Sequence, residues 1–89
     1  MKVIPDEIKA DLLVRLRRIE GQVRGVQRML DADRDCQEVL QQLSAVRSAV
    51  QNAGLIFARR YAMQCLKDPE IGVTDEELIE QLLAVLSKA

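Results

Sequence analysis

Two long stretches of this chain space their apolar residues in alternating steps of four and three, and such spacing fits only helices packed along their length. In the first stretch the positions are Ile8, Leu12, Leu16, Ile19, Val23, Val26 and Leu30. In the second they are Val39, Leu43, Val46, Val50, Ala53 and Phe57, widened by Leu40 and Ile56. Period-two alternation, which a strand would need, is absent from both. Only Phe57 and Tyr61 are aromatic although apolar residues make up 48% of the chain, so a core must be built from aliphatic side chains. The predicted class is all-α.

Punctuation divides the pattern into three helices. Pro5 suits a first helical turn, where a missing N–H costs nothing, and Asp6 and Glu7 suit the positive end of the helix dipole. This helix is expected to end near Ala32. Gly21 and Gly25 lie one turn apart within it, which points to a close backbone approach. Asp35 followed by Glu38 reads as a variant capping box, making Cys36 the first residue of a second helix that runs to Asp68-Pro69. After the Pro-Glu-Ile-Gly link, Thr74 and Glu77 open a short third helix carrying Leu78, Ile79, Leu82, Leu83, Val85 and Leu86. The 89 residues are expected to form one domain, 1–89, and a domain this small gains stability from self-association.

Charge is unevenly distributed. Residues 1–66 hold 11 Lys/Arg against 8 Asp/Glu, whereas residues 67–89 hold 2 against 6. A basic body with an acidic tail permits nucleic-acid binding. The N-terminus lacks the apolar run of a secretory signal and no segment is apolar enough to span a membrane, so a cytoplasmic protein without membrane partners is expected.

The two cysteines carry the chemistry. Along one continuous helix Cys36 and Cys65 are 29 residues apart, or about 43 Å at 1.5 Å per residue. A disulfide needs Cα atoms within about 7 Å, so they cannot meet in one chain. Antiparallel pairing of two such helices brings each Cys36 beside the other chain's Cys65, twice by symmetry. Cys36, at a helix N-terminus, is the expected attacking thiol, and Cys65 the resolving one. The alternative is that both are small buried hydrophobes. The chain has no histidine, which removes the usual base for cysteine catalysis and the commonest nitrogen ligand for zinc, nickel or copper. No phosphate-binding loop is present either, and an enzyme is not expected.

The run Arg15-Leu-Arg-Arg-Ile-Glu-Gly-Gln-Val-Arg-Gly-Val-Gln-Arg-Met-Leu30, followed by Asp35-Cys36, Gln42-Leu-Ser-Ala-Val-Arg47 and Cys65, resembles the CsoR/RcnR family of bacterial repressors over nearly the whole chain. The resemblance implies a three-helix protomer with two long helices and a short C-terminal one, an antiparallel helix-pair dimer, and a tetramer built as a dimer of dimers. It also implies operator DNA as the partner, bound without a helix-turn-helix through basic residues of the first two helices. Arg15, Arg18 and Arg47 are the leading candidates, with Arg17, Arg59 and Arg60 beside them, and Gln42 and Gln51 as polar contacts.

Copper sensors of that family coordinate Cu(I) through Cys, His and Cys, the histidine standing four residues before the second cysteine. Here that position is Tyr61, and the positions of the supporting Tyr and Glu are Asp35 and Gln81. Two cysteines without histidine resemble instead the persulfide-sensing CstR branch. That resemblance implies a repressor without a cofactor or resident metal, in which reactive sulfur links Cys36 to Cys65 of another subunit by a disulfide, trisulfide or tetrasulfide and releases DNA; Tyr61 is a sensing candidate whether it lines the thiol pocket or points away from it. A Cu(I)-responsive repressor using Cys36 and Cys65 as a two-thiolate site is the alternative, and a helical thiol or sulfur-carrier module that does not touch DNA is the alternative of another class.

Overall fold

A computed structural model describes residues 4–67 and 74–88. Three helices follow in order, α1 (Asp6–Asp31), α2 (Cys36–Lys67) and α3 (Asp75–Lys88), and no strand occurs among the described residues. The all-α expectation is met, element by element. Asp68-Pro69 and the Pro-Glu-Ile-Gly link lie outside the described residues.

Each helix end has a local cause. Pro5 stands one position before the first turn rather than in it, with an extended ψ of 143°, and its carbonyl accepts the Lys9 N–H at 3.0 Å. At the far end of α1, Asp33 adopts a left-handed φ of 53°. That single residue lets the Asp33 N–H reach the Leu30 carbonyl at 3.2 Å and the Arg34 N–H reach the Met29 carbonyl at 3.0 Å, a Schellman closure in which glycine is the usual occupant. The Asp35 carboxylate accepts the Gln37 N–H at 3.2 Å and caps α2. Glu38 does not complete the expected box, because Arg34 takes its carboxylate at 2.8 Å. Thr74 Oγ1 accepts the Glu77 N–H at 3.2 Å and caps α3.

The four-residue connection folds α1 back antiparallel on α2, while α3 touches α2 and not α1 among the described residues. The core between the first two helices is thin: Ile8, Ile19 and Val26 from α1, Ala53 and Tyr61 from α2. The expected seams are therefore only half used. In α1, Leu16, Val23 and Leu30 repeat every seven residues on a stripe left 40%, 41% and 60% exposed. In α2, Leu40, Leu43 and Val50 share a second open stripe that begins at Cys36. Gly21 and Gly25 also depart from expectation, since a Cβ at either would meet no atom within 4 Å. No close backbone approach among the described residues requires them.

The consequence is an elongated body of 52 × 26 × 15 Å with a radius of gyration of 16.6 Å, against about 12 Å for a compact chain of this length. Its accessible surface of 6944 Å² exceeds the roughly 5,200 Å² of a globular monomer of this mass. The surplus is larger than the roughly 800 Å² that one partner contributes to a standard interface.

Candidate sensor site and nucleic-acid interface

α2 runs unbroken from one cysteine to beyond the other: Cys36 is its first residue and Cys65 lies two residues before its end. Gly54 does not interrupt it. Both thiols are free, Cys36 exposed and Cys65 half-buried. The continuity on which the roughly 43 Å separation depends is present, and the two sulfurs belong to opposite ends of the protomer. Neither is a fully buried hydrophobe, which removes the bland alternative for Cys36.

Tyr61, one turn before Cys65, is the most buried described side chain, at 1% exposure. Its ring packs on Phe57 with centroids 6.1 Å apart and planes tilted by 33°. Phe57, Tyr61 and Cys65 thus form a column along α2 at successive turns. The Tyr61 hydroxyl makes no hydrogen bond of good geometry, although the Cys65 sulfur lies near enough to act on it. Burial raises its pKa above the ordinary phenol range, and the neighbouring Cys65 sulfur adds to the rise. Gln81 Oε1 of α3 is likewise buried without a partner. Among the described residues no three Cys, Asp or Glu side chains converge into a group that could hold a metal ion. The thiol donors available to one are the two cysteines, and among the described residues Met29 and Met63 add thioethers.

The basic residues separate into paired and unpaired. Asp11 binds Arg15 Nε at 3.0 Å within α1 and Arg60 Nη1 at 3.3 Å across to α2. The hydrogen bond from Arg15, reinforced by the charge of Arg60, holds the Asp11 carboxyl below its ordinary value. Arg24 pairs with Glu20 at 3.6 Å. Arg17, Arg18, Arg47 and Arg59 are exposed and form no ion pair among the described residues. Arg15 and Arg18 line one side of a cleft of about 210 Å³ between α1 and α2, with Gln22 below them and Ala49, Asn52 and Ala53 on the α2 side. Arg17 projects from the opposite side of α1, two residues and about 200° round the helix from Arg15. Arg47, Gln42 and Gln51 are exposed but not part of this cleft.

Sequence reasoning missed Gln22, Asn52 and which arginine of α2 reaches Asp11. Gln22 could have been found, because it is one turn beyond Arg18 on the same face. Asn52 and Arg60 depend on the register between α1 and α2, for which the sequence holds no local signal.

Residues 8–88 match a family model described as "Metal-sensitive transcriptional repressor". The chain is 41% identical over 80 residues, 90% of its length and 79% of the relative's, to the copper-sensing transcriptional repressor CsoR of Bacillus subtilis. It is 46% identical over 52 residues, 58% of its length and 54% of the relative's, to the copper-sensing transcriptional repressor RicR of Mycobacterium tuberculosis. The crystal structure of the copper-sensing repressor CsoR with Cu(I) from Geobacillus thermodenitrificans superposes on it with a TM-score of 0.77 at 33% identity, covering 99% of this chain and 92% of that one.

Proposed function

Because this chain belongs to the metal-sensitive transcriptional repressor family, we propose that residues 1–89 act as a single cytoplasmic unit that binds operator DNA and releases it when an effector joins Cys36 of one subunit to Cys65 of another. The family is one of repressors, not of enzymes. The observation that carries the intersubunit site is α2 itself, a continuous helix of 32 residues with a thiol near each end.

In this reading two copies of α2 pair antiparallel about a two-fold axis between Val50 and Gln51. Cys36 then lies level with the partner's Cys65, Leu40 with the partner's Tyr61, and Leu43 with the partner's Ala58. Leu40, Leu43 and Val50, 59%, 48% and 51% exposed in the protomer, become covered, which supports the pairing on hydrophobic grounds. Arg47 falls level with the partner's Gly54, where a side chain finds open space. The second open stripe, Leu16, Val23 and Leu30, supports assembly of such dimers into a tetramer. Operator phosphates are met by Arg18 at its cleft, with Arg17, Arg47 and Arg59 as further exposed cations, while Arg15 beside it and Arg60 are both held by Asp11.

The effector is a thiophile, and Cu(I) is the one supported by the relatives, which are copper-sensing repressors. Cys36 and the partner's Cys65 would hold it as a two-thiolate pair, a donor set suited to that soft ion. One observation favours a second reading, reactive sulfur. The position four residues before Cys65 is a buried phenol, a poor ligand for soft Cu(I), and no histidine exists elsewhere to replace it. In that case the Cys36 thiolate takes sulfane sulfur from an organic persulfide, expelling a thiolate, and the partner's Cys65 attacks the Cys36 sulfur, expelling hydrosulfide and leaving a disulfide.

The test treats reduced protein separately with Cu(I) and with an organic persulfide, following intact mass under non-reducing conditions and DNA binding. DNA release at one Cu(I) per site, without covalent linkage, establishes the first reading. Release with a covalent dimer after persulfide establishes the second. Retention of DNA in both arms, or full response of a Cys36→Ser variant, overturns the intersubunit dithiol.

A further inference from the structure

The Tyr61 hydroxyl is poorly served by folding. Its ring fills the most enclosed position of the described chain, yet the hydroxyl makes no hydrogen bond of good geometry there, the Cys65 sulfur being the neighbour that acts on it. A phenylalanine would occupy the same volume without stranding a donor, and a stranded buried donor opposes folding. The other buried polar atom without a partner, Gln81 Oε1, is an acceptor, but the two do not bond each other.

The hydroxyl is next to chemistry that lacks a partner of its own. Cys65 lies one turn further along α2, where helical side chains lean toward the N-terminus, and its sulfur is near enough to act on the Tyr61 hydroxyl. Phe57 holds the ring from the other side. A neutral thiol accepts a hydrogen bond poorly, whereas an anionic sulfur accepts it strongly. The donor thus gains a strong acceptor wherever effector uptake places charge on that sulfur.

Resting on the dithiol reading above, we propose that Tyr61 is a positioning residue of the sensor: its hydroxyl donates a hydrogen bond to the charged sulfur at Cys65, holding that sulfur toward the partner's Cys36 as the effector is taken up. It forms no bond to the effector and loses no proton. The phenol supplies in the second coordination layer what it cannot supply as a ligand, and the same role serves Cu(I) held by two thiolates or a sulfur bridge in formation.

Tyr61 is the only tyrosine and the chain has no tryptophan, so the near-ultraviolet tyrosine band reports this residue alone. The experiment uses the full chain, records that band before and after one equivalent of Cu(I), whose thiolate ligands keep their charge, and follows an organic persulfide by rate alone, because its product disulfide is neutral. It is run on the wild type, Cys65→Ser and Tyr61→Phe, with the uptake rate measured in parallel. The band is expected to move to longer wavelength in the wild type and to stay in place in Cys65→Ser. Tyr61→Phe is expected to keep its helix content and thermal midpoint while taking up effector about tenfold more slowly. A band that does not move, or that moves equally in Cys65→Ser, overturns the proposal, even if Tyr61→Phe fails to fold. So does a folded Tyr61→Phe that reacts at the wild-type rate. If the wild type reacts with neither effector, the dithiol reading falls, and this role falls with it. A normal wild-type response beside an indifferent Tyr61→Phe removes this role alone.

Discussion

The cleft lined by Arg15 and Arg18 makes a quantitative prediction about DNA binding through Arg18→Gln. Arg18 is exposed, carries no ion pair among the described residues, and shares its cleft with Gln22 and Asn52, so it is free to neutralise a phosphate. Each phosphate neutralised on duplex DNA contributes about 0.9 to the slope of log affinity against log salt. If two protomers of a symmetric dimer each lose one contact, the slope falls by about 1.8. Between 50 and 200 mM salt that difference corresponds to about a twelvefold change in how much affinity the wild type loses relative to the variant. Fluorescence anisotropy on a labelled duplex over a salt series measures the slope, and because the phosphate term is independent of sequence a generic duplex suffices. Arg17→Gln removes the same charge from the opposite side of α1 and separates a local contact from a change in net charge. Asp11→Asn, which releases Arg15 and Arg60, is expected to steepen the slope. Equal slopes for Arg18→Gln and the wild type, or equal losses for Arg18→Gln and Arg17→Gln, refute the assignment of this cleft to phosphate.

Three further outcomes are expected. Asp33→Gly relieves a left-handed residue at the end of α1 and is expected to stabilise the fold by about 0.5–1 kcal/mol, a rise of a few °C in thermal midpoint, while Asp33→Ala keeps the strain and forfeits any local polar bond. Leu43→Glu puts a charge on the open α2 stripe, so the oligomer is expected to dissociate in sedimentation velocity at micromolar protein with helicity retained; an unchanged sedimentation coefficient would sink the pairing. Asp11 titrates below its ordinary value because Arg15 and then Arg60 favour its charged form. Its contribution is therefore present above about pH 4, the unfolded carboxylate range, and is lost as pH falls through the lowered folded value. Acid unfolding of Asp11→Asn is expected to be flatter than the wild type over that interval.

What could be read from the sequence was whatever neighbouring residues decide between themselves. Asp35 before Cys36 and Thr74 before Glu77 mark helix starts because a cap is a contact between residues two or three apart. The end of α1 was less legible: Asp33 holds the position glycine usually takes, so the Schellman closure carried no glycine signal. Arg60 and Asn52 were out of reach for a different reason. Their neighbours Asp11 and Arg18 lie dozens of residues away, and only the antiparallel register of α1 on α2 brings them together.

The apolar pattern was legible but too generous, and the excess carries information. Spacing alone marked Leu16, Val23, Leu30, Leu40, Leu43 and Val50 as core, and each remains at least 40% exposed in the protomer. A helix pair can bury one stripe from each member, whereas each of these helices carries more than one. The unused stripe of α2 runs from Cys36 through Leu40 and Leu43 to Val50, while Tyr61 near the other end is already covered and Cys65 is half-buried, so the surface that asks for a second chain begins at one of the two thiols. Hydrophobic burial and thiol chemistry therefore make the same demand on this sequence. A substitution on that stripe that blocks association, such as Leu43→Glu, must also abolish coupling between Cys36 and Cys65, although it alters neither sulfur.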